Sequence, residues 1–143
     1  MLISTRGTYA LRILVELARG GEGEYICLGS IAAQQGISRK YLDQIVPELA
    51  RSGIVETCRG SSGGIRLAKK PEEISAADIL RATEGSLAPV TCLQSGCECE
   101  RCDECPAHPV WKGLEDVIER YLSGKTLRDI SERDTAEGEM TAL

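Results

Sequence analysis

Residues 31–45 of the chain, IAAQQGISRKYLDQI, have the pattern of two helices joined by a tight turn. Gly36 stands where a helix commonly ends in the left-handed conformation, and Ser38 is a good N-cap for the next helix. Beyond it, apolar residues recur at helical spacing, namely Leu42, Ile45, Val46 and Leu49. We predict a short helix over residues 28–35 and a second from 38 to 52, kinked at Pro47.

A glycine-rich hairpin follows the two helices. Residues 54–58 and 65–68 read as short strands, and RGSSGG at 59–64 reads as a flexible tip between them. Helices with an apolar face are predicted over 5–19 and 76–84. The order of these elements predicts a mainly α fold, with a winged helix-turn-helix domain and a two-stranded wing over residues 1–85.

The second helix of this motif leaves polar side chains near its N-terminal end, where such motifs meet base edges. They are Arg39, Lys40, Tyr41 and Gln44. Glutamine can pair with adenine through two hydrogen bonds, and arginine or lysine can contact guanine or a phosphate. Arg59 at the wing tip suits a narrow minor groove or a phosphate, and Tyr9 suits a phosphate or the core. The alternative is a solvated helix face with an ordinary hairpin.

The charge is unevenly distributed along the chain. The net charge of −5 argues weakly against nucleic acid as a partner. Residues 1–70, however, contain ten basic and six acidic residues, whereas residues 71–143 contain seven and sixteen. A basic front half and an acidic back half fit a chain whose N-terminal part faces phosphates.

Length and composition predict a globular protein. The chain has 143 residues, enough for one domain with a sizeable core. No apolar run approaches the roughly 18 residues of a membrane span, and MLISTRGTY at 1–9 lacks the features of a secretory signal. We expect a cytoplasmic protein without membrane association, in which crowded cysteines are metal ligands rather than disulfides.

Five of the seven cysteines and the only histidine lie in TCLQSGCECERCDECPAHPVW at 91–111. Thiolate and imidazole bind zinc, copper(I) and iron–sulfur centres. The candidate ligands are Cys92, Cys97, Cys99, Cys102, Cys105 and His108. Their spacing partly matches two different ferredoxin patterns, so it leaves the ligand set open. We predict a metal-binding loop over 86–107 and favour an iron–sulfur cluster over structural zinc and over free thiols.

A long helix is predicted after the loop, over about residues 109–123. Its wide apolar stripe comprises Val110, Trp111, Leu114, Val117, Ile118, Tyr121 and Leu122. Because the front half has its own core, we expect two such helices to pack antiparallel in a homodimer, the alternative being burial in the chain's own core. The dimerisation helix and the end of the fold occupy 108–130, and residues 131–143 are predicted to form a disordered tail.

Nearly the whole chain resembles the bacterial winged-helix transcription regulators of the IscR, NsrR and CymR types, and the IscR-like members most. The resemblance rests on MLISTRGTYALRILVELA at 1–18, IAAQQGISRKYLDQI at 31–45, VETCRGSSGGIRLAKKPEEISAADILRATEG at 55–85 and CPAHPVW at 105–111. It implies a homodimeric transcription factor that binds a double-stranded DNA operator and is not an enzyme. The DNA contacts that it implies fall on Tyr9, Ser38, Lys40, Tyr41, Gln44, Arg59 and Gly60.

The resemblance also implies a cofactor, because IscR-like members hold a [2Fe–2S] cluster with three cysteines and a histidine. Cys99-x5-Cys105-x2-His108 matches that spacing. The first ligand would be Cys92, but six residues separate it from Cys99 where the pattern has five. Either the loop bulges by one residue, or Cys97 or Cys102 replaces a ligand. CymR-like members lack the cysteine cluster.

These observations predict a DNA-binding transcription regulator whose operator affinity is controlled by an iron–sulfur cluster that senses iron, cluster or redox status. One alternative is a DNA-binding regulator with structural zinc and no sensing role. The other is an electron carrier or redox enzyme. The winged-helix half argues against that reading, as does the lack of a glycine-rich nucleotide loop and of a spare histidine.

Overall fold

The computed structural model describes residues 3–21, 23–61, 63–94 and 99–137. Within these ranges, six α-helices and one two-stranded sheet follow in the order α1 (Thr5–Arg19), α2 (Leu28–Gln35), α3 (Arg39–Arg51), β1 (Val55–Cys58), β2 (Gly64–Leu67), α4 (Ala76–Glu84), α5 (His108–Ser123) and α6 (Leu127–Glu137). The mainly α, winged helix-turn-helix fold is confirmed. None of the described helices has the length and apolar character that a membrane span requires.

Local sequence signals set the helix boundaries. The side chains of Ser4, Ser38 and Ser75 accept backbone N–H bonds in the first turns of α1, α3 and α4. Gly36 ends α2 in the left-handed conformation, with a φ of 64°. Pro47 lies inside α3, and the helix continues past it to Arg51.

The wing is anchored to the helical part by an isolated β-bridge. Cys58 on β1 pairs with Gly64 on β2, and Ile26 exchanges two backbone hydrogen bonds with Ile65, of 2.8 and 2.9 Å. The backbone of Gly64 lies so close to the Ile26 carbonyl that a β-carbon there would overlap it. The connector before α2 therefore fixes the inner edge of the hairpin.

The hydrophobic core is formed by the apolar faces of α1, α2, α3 and α4, both strands and the start of α6. Its largest fully buried side chains are Ile13, Leu14, Ile31, Leu42, Ile45, Leu49, Ile65, Ile74, Ile79 and Leu127. A second cluster joins α4 to α5, formed by Ala77, Leu80 and Leu87 with Ile118 and Leu122 packed against them. No residue of α5 is buried, so in the single chain this helix contacts the rest along one side only.

The end of the chain differs from the predicted disordered tail. Residues 131–137 continue α6, and residues 138–143 lie outside the described residues. Two features fix the start of this helix. Leu127 is fully buried, and its N–H donates to the Ile74 carbonyl at 2.7 Å. Thr126 and Asp129 exchange two hydrogen bonds of 3.1 Å as a capping box.

Candidate nucleic-acid interface and cysteine loop

The N-terminal end of α3 forms a polar surface. Ser38 accepts a hydrogen bond from the Tyr41 backbone N–H at 3.1 Å, which holds the first turn in place. Ser38, Lys40 and Gln44 are exposed. Arg39 is also exposed, but its guanidinium pairs with Asp43 one turn along the helix at 3.3 Å. Because that pair is exposed and weak, it leaves Arg39 able to exchange Asp43 for a phosphate.

Two aromatic rings join α1 to this surface. Tyr9 meets Tyr41 edge to face, with ring centroids 5.6 Å apart, and both residues are half-buried. Arg12 lies over the Tyr9 ring at 5.4 Å and donates to the Gln35 side chain at the end of α2 at 3.0 Å. Tyr9 therefore packs at the edge of the core beside the α3 surface. This position is compatible with both roles considered from the sequence, a phosphate contact and core packing.

The wing places its cation at the tip and holds its base with a separate set of side chains. Arg59 is exposed beside Gly60, whose φ of 111° favours glycine. At the base, Arg66 donates to Glu56 at 2.9 Å and lies 4.4 Å from the centre of the Tyr25 ring. The pairing with Glu56 raises the pKa of Arg66. The sequence analysis did not predict this contact at the base of the wing, because Tyr25 reaches Arg66 only through the bridge that its neighbour Ile26 forms with Ile65.

The cysteine loop connects α4 to α5. Cys92 lies in a short turn, Thr91–Leu93, and Cys97 lies outside the described residues. The Cys102 backbone N–H donates to the Cys99 carbonyl at 3.3 Å, which brings these two cysteines together in one turn. Burial raises the pKa of the Cys102 thiol, with further contributions from nearby Cys99 and Cys92.

The structure thus places Cys99 and Cys102 in one turn, whereas His108 begins α5 after a turn that starts at Cys105. Among the residues described, no three Cys, His, Asp or Glu side chains converge tightly enough to hold a single metal ion. The described cysteines are free thiols, and a set of thiols with one imidazole in a single loop is chemically suited to a soft metal or an iron–sulfur centre. The donor set therefore fits the implied cofactor, and the ligand set stays a prediction.

The apolar stripe of α5 divides into two parts. Ile118 and Leu122 pack on the cluster from α4. The remaining large side chains are exposed in the single chain, in a row formed by Val110, Trp111, Leu114, Val117 and Tyr121. We call these five residues the α5 row. A contiguous exposed apolar row of this kind is typical of an interface with another protein surface.

Cys27 lies outside the cysteine loop, at the N-terminal end of α2. It is exposed, and the backbone N–H groups of Gly29 and Ser30 lower the pKa of its thiol, with a smaller contribution from the charge of Arg39. Cysteine is not among the residues that commonly cap helices, so no sequence signal marked this position.

The comparisons with known proteins agree with this geometry. The family model Rrf2, described as iron-dependent transcriptional regulator, matches residues 3–133. The chain is 38% identical to the regulator CymR of Bacillus subtilis over 141 residues, which cover 97% of this chain and 96% of CymR. It is 30% identical to the regulator IscR of Escherichia coli over 130 residues, which cover 91% of this chain and 80% of IscR.

Solved structures give the same result. The structure of CymR, the global cysteine regulator of B. subtilis, matches with a TM-score of 0.76 and 34% identity, over 93% of this chain and 98% of that one. The structure of T. potens IscR matches with a TM-score of 0.73 and 30% identity, over 93% and 88%. These relatives are transcription regulators and not enzymes. The chain therefore belongs to the Rrf2 family of DNA-binding transcription regulators.

Proposed function

We propose that this regulator is a homodimer that binds a double-stranded DNA operator through α3 and the wing, with an affinity set by an iron–sulfur cluster in the cysteine loop. The observation that carries the proposal is the place of the cysteine loop in the order of elements. Along the chain it connects α4, which packs against the DNA-binding half, to α5, which carries the exposed α5 row. Any change in this loop acts on both neighbours.

We assign the DNA contacts to the exposed end of α3, the wing tip and the adjoining aromatic residue. They are Tyr9, Ser38, Arg39, Lys40, Tyr41, Gln44, Arg59 and Gly60. Gln44 and Tyr41 reach base edges, and the arginines and Lys40 hold phosphates or guanine. The positive front half of the chain supports this assignment, because phosphate neutralisation dominates DNA affinity.

We assign the cluster ligands by spacing to Cys92, Cys99, Cys105 and His108, with Cys97 or Cys102 as a substitute. The most consistent cofactor is [2Fe–2S], and structural zinc is the alternative. A bound cluster supplies a centre that responds to oxidants and to iron supply. The chain itself supplies a loop that leads from α4 to α5, and metal binding by the residues of this loop would order it.

The candidate ligands differ in the strength with which they hold a metal, because one is a histidine and the others are cysteines. A histidine at the start of α5 ties the loop directly to the helix that carries the α5 row. Imidazole is neutral and thiolate is charged, so the His108 end of the loop is the more easily released. If a cluster is bound in this loop, His108 would be its most weakly held ligand and would link it to α5.

The similarity to CymR supports a second candidate. CymR is the global cysteine regulator of B. subtilis, and the 38% identity extends over almost the full length of both chains. On this candidate the chain responds to cysteine status through thiols rather than through a metal. The metal content of the isolated protein distinguishes the two.

The deciding experiment is anaerobic purification of the full chain, with a visible spectrum and assays of iron, sulfide and zinc. Brown protein with about two iron and two sulfide per monomer supports the proposal. Colourless, zinc-loaded protein would instead support the structural-zinc regulator. Metal-free protein would support the CymR-like candidate. An operator selected from random DNA must then bind the loaded and stripped protein with different affinities, since equal affinities would contradict the sensing role.

A further inference from the structure

One polar cluster in the described part of the molecule belongs neither to the DNA-facing surface nor to the cysteine loop. Arg6 on α1 divides its guanidinium between two elements. Nη1 donates to Glu48 Oε1 on α3 at 2.7 Å, and Nη2 donates to the Thr83 carbonyl near the end of α4 at 3.3 Å. Arg6 therefore adds a polar link to the packing contact between α4 and α3, the helix that carries the DNA contacts.

The other carboxylate oxygen of Glu48 has no partner. Oε2 is buried and accepts no hydrogen bond, and the Glu48 side chain is only 17% exposed. An unpaired buried acceptor of this kind is costly. Arginine can satisfy both oxygens of a carboxylate at once through two parallel hydrogen bonds. Moving Nη2 from the Thr83 carbonyl to Oε2 would complete the pair with Glu48 and at the same time break the hydrogen bond from Arg6 to α4.

α4 also receives the contacts of α5. Arg81 on α4 forms an ion pair with Glu119 on α5, beside the apolar cluster that joins the two helices. One turn further along, at the last residue of α4, Ser4 holds the helix to the start of α1 by donating its backbone N–H and its hydroxyl to Glu84, at 3.0 and 2.6 Å. A displacement of α5 therefore acts directly on α4, and α4 is tied to α3 through Arg6.

We propose that Arg6 is a two-position latch between α4 and α3. In one position its guanidinium is divided between Glu48 and the Thr83 carbonyl, as observed, and in the other both nitrogens bind Glu48. The position of α5 selects between them. The inference rests on the proposed function in that it supplies the route from the cysteine loop to α3. It makes Arg6 and Glu48 positioning residues, because they act on DNA only through the placement of α3.

A double-mutant cycle on the metal-free full chain tests the latch without the cofactor. Glu119→Gln removes the ion pair between α5 and α4, and Arg6→Lys keeps the charge but removes the fork that alternates between two partners. Operator affinity is measured by fluorescence anisotropy for each single variant and for the double variant. Asp116→Asn is the matched control, because it removes one negative charge from α5 at a residue that, within the described part of the chain, pairs only with Lys112 on the same helix.

We expect Glu119→Gln to change the dissociation constant at least about threefold beyond the control, and to change it by less than about 1.5-fold in the Arg6→Lys background. Equal effects in the two backgrounds, or no effect of Glu119→Gln, would overturn the latch. If Arg6→Lys does not fold by circular dichroism, Glu48→Gln replaces it. An amide has only one acceptor oxygen, so it cannot form the two parallel hydrogen bonds that a carboxylate makes with a guanidinium. This variant therefore disfavours the second position and must also suppress the effect.

The proposed function fails by a different result. If metal-loaded and metal-free wild-type protein bind the operator equally while the cycle is non-additive, the latch stands and the cluster does not use it. If the loaded and free forms differ while the cycle is additive, the sensing role stands and the signal reaches α3 by another route.

Discussion

The rings of Tyr9 and Tyr41 meet edge to face, with centroids 5.6 Å apart and planes at 84°. The contact joins α1 to the first turn of α3, directly behind the cap that Ser38 provides. It is a second connection between these helices, separate from the one between Arg6 and Glu48. The edge-to-face geometry is the favourable one for aromatic pairs. We infer that Tyr9 orients Tyr41 whether or not its hydroxyl reaches DNA.

Variants of Tyr9 should separate these two roles. Tyr9→Phe keeps the ring and removes the hydroxyl, so it should weaken all DNA sequences alike if the hydroxyl binds a phosphate. Tyr9→Ala also removes the ring contact, and should reduce the free energy of binding to the selected operator by about a further 0.5–1.5 kcal/mol. Anisotropy titrations with operator and random DNA measure both effects. Equal affinities for Tyr9→Ala and Tyr9→Phe would show that the ring contact does not position α3.

The close approach of Gly64 to Ile26 gives a prediction about stability. Gly64→Ala would place a β-carbon against the Ile26 carbonyl, which is backbone and cannot turn aside. We expect a loss of about 2 kcal/mol in the free energy of unfolding, in the range of overpacked sites. Gly29→Ala is the control, because its nearest neighbour, the Cys27 sulfur, lies at an ordinary 3.7 Å. Urea denaturation of both variants makes the comparison, and equal stability would mean that the wing is not held at Ile26.

The sequence predicted the elements whose signals are local. Gly36 and Ser38 set the ends of α2 and α3 through bonds to residues within one turn, so the spacing along the chain already contained them. α6 had a local signal too, the Thr126-x2-Asp129 capping box, but the surrounding polar residues hid it. What fixes that helix is the burial of Leu127 against residues far away in the sequence.

The parts of the site that were missed depend on distant residues. Arg6 meets partners 42 and 77 positions away, and no periodicity along α1 marks such contacts. The strand pairing of Ile26 is a single bridge, too short to give an alternating pattern. The exposed end of α3 was predictable because Arg39, Lys40 and Gln44 lie opposite an apolar face on the same helix. In the cysteine loop, spacing alone could not rank six donors that occur within 17 residues.

Substitutions on α3 should distinguish base contacts from phosphate contacts. Gln44→Ala should cost about 1–3 kcal/mol at the operator and leave non-specific binding unchanged, because a base contact is lost. Lys40→Ala should weaken operator and random DNA alike and reduce the slope of log affinity against log salt by about one. Titrations at several salt concentrations test both. An unchanged operator affinity for Gln44→Ala would contradict the assignment of α3 as the reading helix.

The thiol of Cys27 should react at lower pH than an ordinary cysteine. The Gly29 and Ser30 N–H groups stabilise its thiolate and lower its pKa in the folded protein. Unfolding removes these donors, so the pH profile of alkylation should lie at higher pH in urea than in the folded chain. Peptide mass spectrometry measures the modification of Cys27 alone. Gly29→Pro removes one donor at a position in the first turn that tolerates proline, and should shift the folded profile upward. Coincident profiles for folded and unfolded protein would contradict the assigned stabilisation.

The α5 row should hold the homodimer together. Val117 is 54% exposed in the single chain and lies in the middle of the row. Val117→Glu would place a charge in an apolar interface without a partner, and we expect it to convert the dimer to a monomer. Sedimentation velocity measures the oligomeric state, and circular dichroism confirms that the fold is retained.

Ser123→Glu is the matched control for that variant. It adds the same charge on the same helix at a residue outside the row, where Ser123 donates to Glu119. It should stay dimeric. Loss of the dimer in Val117→Glu should also weaken operator binding by more than the loss of one base contact, because each half-site is then read separately. If Val117→Glu stays dimeric, the α5 row does not form the dimer interface. The dimer that binds the two half-sites of the operator must then form through another surface. If it is monomeric and binds the operator as tightly as before, one copy of the winged helix-turn-helix is sufficient for recognition.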